Sequence, residues 1–223
     1  MSKLFILLFI CFAFSNNKPS KDLIIIGDSR IDEMALVLIG AEKASFKYRG
    51  GYYSAIMTYN PISYKDYNIQ ITAVKIINNL INELSDATLH AYSQLKNAKD
   101  GTNVLLNIGI NNLNDFDAIA EFIEKLADKY KNLHFYVVSL VGVNEKMCDI
   151  LNSDIKEFNI RMKSRIEHFE LSNLKYKSIL NEENPSQVLY NNEKVDILSY
   201  ALDETGFSKD GYEILFNAMV EGL

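Results

Sequence analysis

Basic clusters, paired cysteines and nucleotide-binding glycine loops are all missing from this 223-residue chain, and each absence removes a class of function. Its 23 basic residues are outnumbered by 29 acidic ones and nowhere gather, so no positive patch exists for nucleic acid or an anionic membrane surface. Cysteine is nearly as scarce. Of the two, Cys11 lies in an apolar N-terminal stretch, and removal of that stretch leaves Cys148 without an internal disulfide partner. No cysteine–histidine group has zinc-ligand spacing, and neither a Gly-x-Gly-x-x-Gly nor a Walker loop occurs, so neither metal nor cofactor is implied. Asn184-Pro185-Ser186 fails as an N-glycosylation acceptor because of its proline. There is no internal repeat and no low-complexity linker. With 48% apolar and 23% charged residues, the chain suits one domain that buries both faces of a sheet.

The N-terminus reads separately from the rest. Met1-Ser2-Lys3 precedes an apolar run from Leu4 to Phe14, followed by polar Ser15-Asn16-Asn17. That run falls short of the about 20 residues wanted for a membrane span, and Ala13 and Ser15 make a small-x-small cleavage site. Residues 1–15 are therefore read as a secretory signal peptide, and residues 16–223 as a single secreted or extracytoplasmic domain with no membrane span. An uncleaved anchor is the weaker reading, and a lipoprotein at Cys11 weaker still, since bulky Ile10 precedes it. Loss of Lys3 moves the formal charge from −6 to −7.

Short continuous apolar runs separated by helical patterns are what a parallel sheet covered on both faces requires. Five such runs predict strands: Leu23–Ile26, Ser45–Arg49, Val104–Ile108, Phe135–Leu140 and a weaker one near Tyr176–Leu180. Helices are expected over Ile31–Ile39, ending at Gly40, over Asp115–Lys131, over Asp154–Phe169 from an Asp-x-x-Glu start, and over Ser208–Val220. Two further helices are expected near Ala73–Leu84 and Ala87–Asn97, within an excursion from Tyr59 to Asp100. A second, polar excursion runs from Asn181 to Tyr200. The alternation predicts a three-layer α/β/α sandwich around a mainly parallel five-stranded sheet.

Reactive groups in such a sheet collect at the carboxyl ends of the strands. There the chain carries Gly27-Asp28-Ser29 after the first strand, Gly50-Gly51 after the second and Gly109-Ile110-Asn111-Asn112 after the third. Ser29 also opens a helix, where backbone N–H groups and the dipole favour developing negative charge. Glycine lets a backbone N–H approach a ligand, and an asparagine amide is a neutral donor, so the three blocks can together form an oxyanion hole. Asp203 and Ser208-Lys209-Asp210-Gly211-Tyr212 follow near the C-terminus.

This order of blocks resembles the SGNH (GDSL-like) hydrolase family over nearly all of Leu23 to Val220. The resemblance implies a flavodoxin-like SGNH-hydrolase fold, with Ser29 as nucleophile and Asp203 as the residue that orients a base. It further implies Ser29, Gly51 (or Gly50) and Asn111 as oxyanion-hole donors. The substrate class it implies is a small acyl ester, an acylated glycan or a lipid. Two positions depart from the family pattern: Asn112 stands for an aspartate, and Gly206 stands where the catalytic histidine belongs. Glycine cannot take a proton from serine, and losing one member of a serine triad lowers rates by roughly 10⁴ to 10⁶. Of the three histidines, His134 and His168 are expected at the far edge of the sheet, and His90 falls in the first excursion. Two functions stay open: weak or lost ester hydrolysis through Ser29, and a catalytically silent cleft that holds an acylated lipid, sugar or protein. An unrelated flavodoxin-like binding module would need a phosphate loop, which is absent.

Overall fold

The structure is a computed structural model, and it describes residues 21–38, 43–48, 54–59, 62–76, 94–203 and 206–223. The signal-peptide reading, Gly40, Gly50, Gly51, His90 and residues 77–93 of the first excursion lie outside the described residues. At the centre is strand β1 (Lys21–Gly27), flanked in parallel by β5 (Tyr67–Ile76) and β6 (Asn103–Asn107). Beyond β6 come β7 (His134–Val138) and β8 (Leu174–Lys177), both parallel. The run Leu23-Ile24-Ile25-Ile26 is apolar without alternation because both its faces are covered. Leu23 and Ile25 pack with helices α1 (Ser29–Val37) and α4 (Lys209–Val220). Ile24 and Ile26 point to the opposite face, against α2 (Phe116–Lys129) and α3 (Asn152–His168). Side chains such as Phe122 and Phe158, with almost no exposure, contribute about 1.5–3 kcal/mol each by leaving water.

The sheet is larger than the expected five strands. It has eight: five lie side by side in parallel pairing, and the second strand of the chain runs the same way but is joined to them through an antiparallel strand. Strand β2 (Lys43–Tyr48) instead pairs antiparallel with β3 (Ser54–Tyr59), and β3 pairs antiparallel with β5. A short β4 (Ile62–Tyr64) also folds back on β5. The helix expected from Ala73 is corrected in its first turn, because Ala73–Ile76 forms the end of β5. The parallel bonding of β5 to β1, with Ala73 opposite Gly27, outweighs a local pattern that so short a stretch leaves ambiguous.

The excursion from Asn181 to Tyr200 is a second sheet rather than a loop. Strands β9 (Leu180–Asn181), β10 (Asn184–Tyr190) and β11 (Glu193–Asp196) form two hairpins, followed by a 3₁₀ turn over Ile197–Tyr200. Their two-residue turns place Glu182, Glu183, Asn191 and Asn192 all at positive φ, between 51° and 62°. That is the geometry which matches the twist of paired strands. The small sheet reaches the main one through Gly142, whose N–H donates to Pro185 O at 2.7 Å.

Helix ends follow their sequence signals only in part. Ser208 caps α4 by accepting from Gly211 N, and α2 has Asp117 in its first turn and Lys129 in its last, as the dipole favours. The Asp-x-x-Glu start of α3 is not used as a box: Leu151 is the N-cap, and Glu145 Oε1 accepts from Asn152 N at 2.5 Å instead.

Candidate active site

Strand register brings three loops to one edge of the sheet. Gly27 pairs with Asn107, so the segments after β1 and β6 leave side by side, and β7 delivers a third beside them. Ser29 is the first residue of α1, and Asn111 lies four residues past the end of β6. The Asn111 Nδ2 donates to Ser29 Oγ at 3.0 Å, while the hydroxyl's reach back to Asn111 Oδ1 is a longer 3.4 Å. These two predicted site residues therefore meet. An amide donor bonded to the serine oxygen stands beside the carbon that oxygen would attack, near the place where a carbonyl oxygen would gather charge. Replacing Asn111 with alanine is expected to slow any Ser29-dependent ester hydrolysis by about 10²-fold, measured as kcat with an activated acetyl ester.

The device that joins the two loops is Asp28. It is 4% exposed, and its Oδ2 accepts from Gly109 N at 3.0 Å and from Ile110 N at 2.9 Å. Its Oδ1 accepts more weakly, at 3.4 Å, from Arg30 N as the helix N-cap. Burial pushes the Asp28 carboxyl above its ordinary range, opposed by the Arg30 charge and by these N–H groups. Gly109 has φ of 134°, a conformation that favours glycine, and its missing side chain leaves room for the Phe158 ring. Asn112 keeps to its own turn, donating to Asp115 Oδ2 at 3.0 Å.

Arg30, 1% exposed, ties α1 to the loop after β7 by donating to Val141 O at 2.9 Å and to Gly142 O at 3.0 Å. Its guanidinium also lies 5.1 Å from the centre of the Phe207 ring, just beyond Gly206. That loop is held in turn by two asparagines of α3. Asn159 accepts from Leu140 N and donates to Leu140 O, both at 2.8 Å, and Asn152 does the same for Val143 at 2.9 and 3.1 Å. Each amide copies the pairing of a neighbouring strand. Asp28, Arg30, Asn152 and Asn159 were not among the expected site residues. For Asp28 and Arg30 the available signal was two charges directly flanking Ser29 at the end of an apolar strand.

The last segment brings carboxylates rather than an imidazole. Asp203 Oδ1 accepts from Gly206 N at 2.7 Å, closing the turn that leads to Phe207 and α4. The place beside Gly206 is filled. A Cβ there would run into Glu33 Oε2 and lie 3.0 and 3.1 Å from the two Asp203 oxygens. Glu33 Oε2 is itself held by the Tyr212 hydroxyl, which donates to it at 2.5 Å. Burial first, and then Glu33, push the Tyr212 hydroxyl well above its ordinary range, so it remains a donor.

Other expected contributors fall away from Ser29. His134 opens β7 opposite Asn103, at the amino edge of the sheet, and His168 ends α3 with its ring Nδ1 at Ser164 O. Gly51 lies outside the described residues; β2, two antiparallel steps from β5, runs in the same direction as β1, so its carboxyl end is at the same sheet edge, with β3 and β5 between. The parallel neighbour of β1 on that side is β5, which leads into residues outside the description. Among the described residues, no cluster of three or more His, Cys, Asp or Glu could hold a metal ion, and no helix is long and apolar enough to cross a membrane.

An α/β fold with helices on both faces, and a serine at the first helix start faced by an amide donor, defines a candidate nucleophile site. No protein-family model matches the chain, and no curated protein matches it. Among solved structures, it is similar to one described as "a putative platelet activating factor from Streptococcus pneumonia". The TM-score is 0.55 at 15% identity, covering 89% of this chain and 82% of that one, a likeness of fold.

Proposed function

We propose that this chain is an SGNH-type ester hydrolase of flavodoxin-like fold that acts outside the cytoplasm, through Ser29, on a small acyl ester, an acylated glycan or a lipid. The observation that carries the reading is the Asn111 amide at 3.0 Å from Ser29 Oγ, at the start of α1. Two donors serve the oxyanion in this reading: the Asn111 Nδ2 and the Ser29 N–H in the positive end of the helix. Turnover is slow, because no histidine of the described residues stands near Ser29.

Hydrolysis of p-nitrophenyl acetate and labelling by a fluorophosphonate test this reading. Slow turnover and covalent labelling are expected, both lost in Ser29→Ala. Equal rates in the two proteins, with no label on Ser29, would overturn it and leave the silent cleft, to be probed by binding of acetylated oligosaccharides. The extracytoplasmic part has its own check. Secreted material is expected to begin at Asn16 on N-terminal sequencing, and a chain that still starts at Met1 would rule the signal peptide out.

A further inference from the structure

We infer that Glu33 is the base for Ser29, and that residue 206 is glycine because the Glu33 carboxylate occupies the space its side chain would need. This rests on Ser29 being a nucleophile. Glu33 follows Ser29 by four residues on α1, so the two side chains share one face, with Cβ atoms about 5–6 Å apart. Asp32 also lies one turn from Ser29, and Glu33 is the one that Tyr212 binds beside Gly206 and Asp203.

The environment of Glu33 is built rather than incidental. Tyr212, a fully buried residue of α4, donates its hydroxyl to Glu33 Oε2 at 2.5 Å. Gly206 brings a bare Cα against the same oxygen and against both oxygens of Asp203. A Cβ at this position would need the Glu33 carboxylate to move. Two carboxylates facing one point repel each other. The buried Arg30 guanidinium answers both, since its charge acts on Glu33, Asp203 and Tyr212 together. Such an arrangement would be costly to keep around a carboxylate with no role.

In the reaction, rotation of the Glu33 side chain moves its carboxylate from the Tyr212 hydroxyl to the Ser29 hydroxyl. The Oγ proton passes to Glu33 as Oγ bonds to the acyl carbon, and the carbonyl electron pair moves onto its oxygen, beside Asn111 Nδ2. Collapse of this intermediate re-forms the carbonyl and breaks the bond to the alcohol oxygen, which takes the proton from Glu33. Water then repeats the cycle. Its proton goes to Glu33, its oxygen bonds to the acyl carbon, and Ser29 leaves with the proton returned to Oγ.

The test follows fluorophosphonate labelling of Ser29 and p-nitrophenyl acetate hydrolysis in the full chain, with thermal unfolding as the check on folding. Glu33→Gln and Glu33→Ala are each expected to slow both reactions by about 10²-fold. Added formate is expected to restore part of the rate in Glu33→Ala, where it can enter the space left, and none in Glu33→Gln, where the amide fills it. A merely structural Glu33 would show no such rescue. Should Glu33→Gln react like the unmodified protein, or formate do nothing in a folded Glu33→Ala, the base assignment is overturned while Ser29 stands. If Glu33→Ala fails to fold, the Glu33→Gln rate alone decides. Absence of a Ser29 label in the unmodified protein sinks the nucleophile reading, and the base with it, before any Glu33 variant is made.

Discussion

Gly206→His together with Glu33→Ala is expected to raise hydrolysis of a small activated ester by about 10²–10⁴-fold over the unmodified protein, whereas Gly206→His alone gives no gain. The difference comes from one atom. A side chain at position 206 starts in the space of Glu33 Oε2, which Tyr212 holds by a hydrogen bond, so an imidazole added by itself competes with that carboxylate for the same place. Shortening Glu33 to alanine opens that space. The new ring then starts beside the two Asp203 oxygens, which can accept its N–H and fix its tautomer. With an ordinary pKa near 6.5, imidazole is a stronger base at neutrality than a carboxylate near 4.3. Both proteins are compared by kcat/KM at pH 7, each with and without Ser29→Ala. A gain from the single Gly206→His change would mean that Glu33 yields easily. A gain that survives Ser29→Ala would mean that the hydrolysis does not pass through this serine.

Asp28→Ala is expected to lower stability by about 3–5 kcal/mol and to abolish Ser29 reactivity in whatever protein still folds. The substitution strips the acceptor from Gly109 N and Ile110 N and removes the anion nearest to the buried Arg30. A buried donor left unsatisfied costs about 1–3 kcal/mol, and breaking a buried charge pair about 3–5 kcal/mol, so a large loss is expected even after relaxation. Without those two bonds the turn that carries Asn111 loses its tie to the start of α1. Urea unfolding and fluorophosphonate labelling measure the two effects. A variant within 1 kcal/mol of the parent would show that Asp28 is not what joins the loops. Asp28→Asn separates the roles, since its single carbonyl oxygen can still accept from Gly109 and Ile110 but cannot balance Arg30.

Long-range pairing explains where the sequence was a poor guide. The run at Tyr67–Ile76 is a central parallel strand, yet its last four residues also fit a helix, because a stretch that short carries no period of its own. The hairpin turn Asn191-Asn192 has residues that tolerate positive φ, and it could have been read as a turn. Glu182-Glu183 could not, since glutamate has no preference for that region and the flanking strands impose it. The antiparallel β3, inserted between the expected β2 and the centre of the sheet, was missed for a related reason. Strand direction depends on which neighbour a strand meets, and local composition does not encode it.

What the sequence determined by itself is the centre of the fold and half of the site. Four apolar residues before Gly27-Asp28-Ser29 can only be a strand buried on both faces, and a strand that passes directly into a helix puts Ser29 at the helix's positive end. The order of the blocks then placed Asn111 at the same sheet edge, because parallel strands share their carboxyl ends. Only the tertiary structure decided what lies beside Gly206. Glu33 and Gly206 are 173 positions apart, and nothing local to either shows that one fills the space the other leaves open. Packing of α1 against the Asp203 turn and α4 creates that contact, and a contact made across the chain is a property of the folded shape alone.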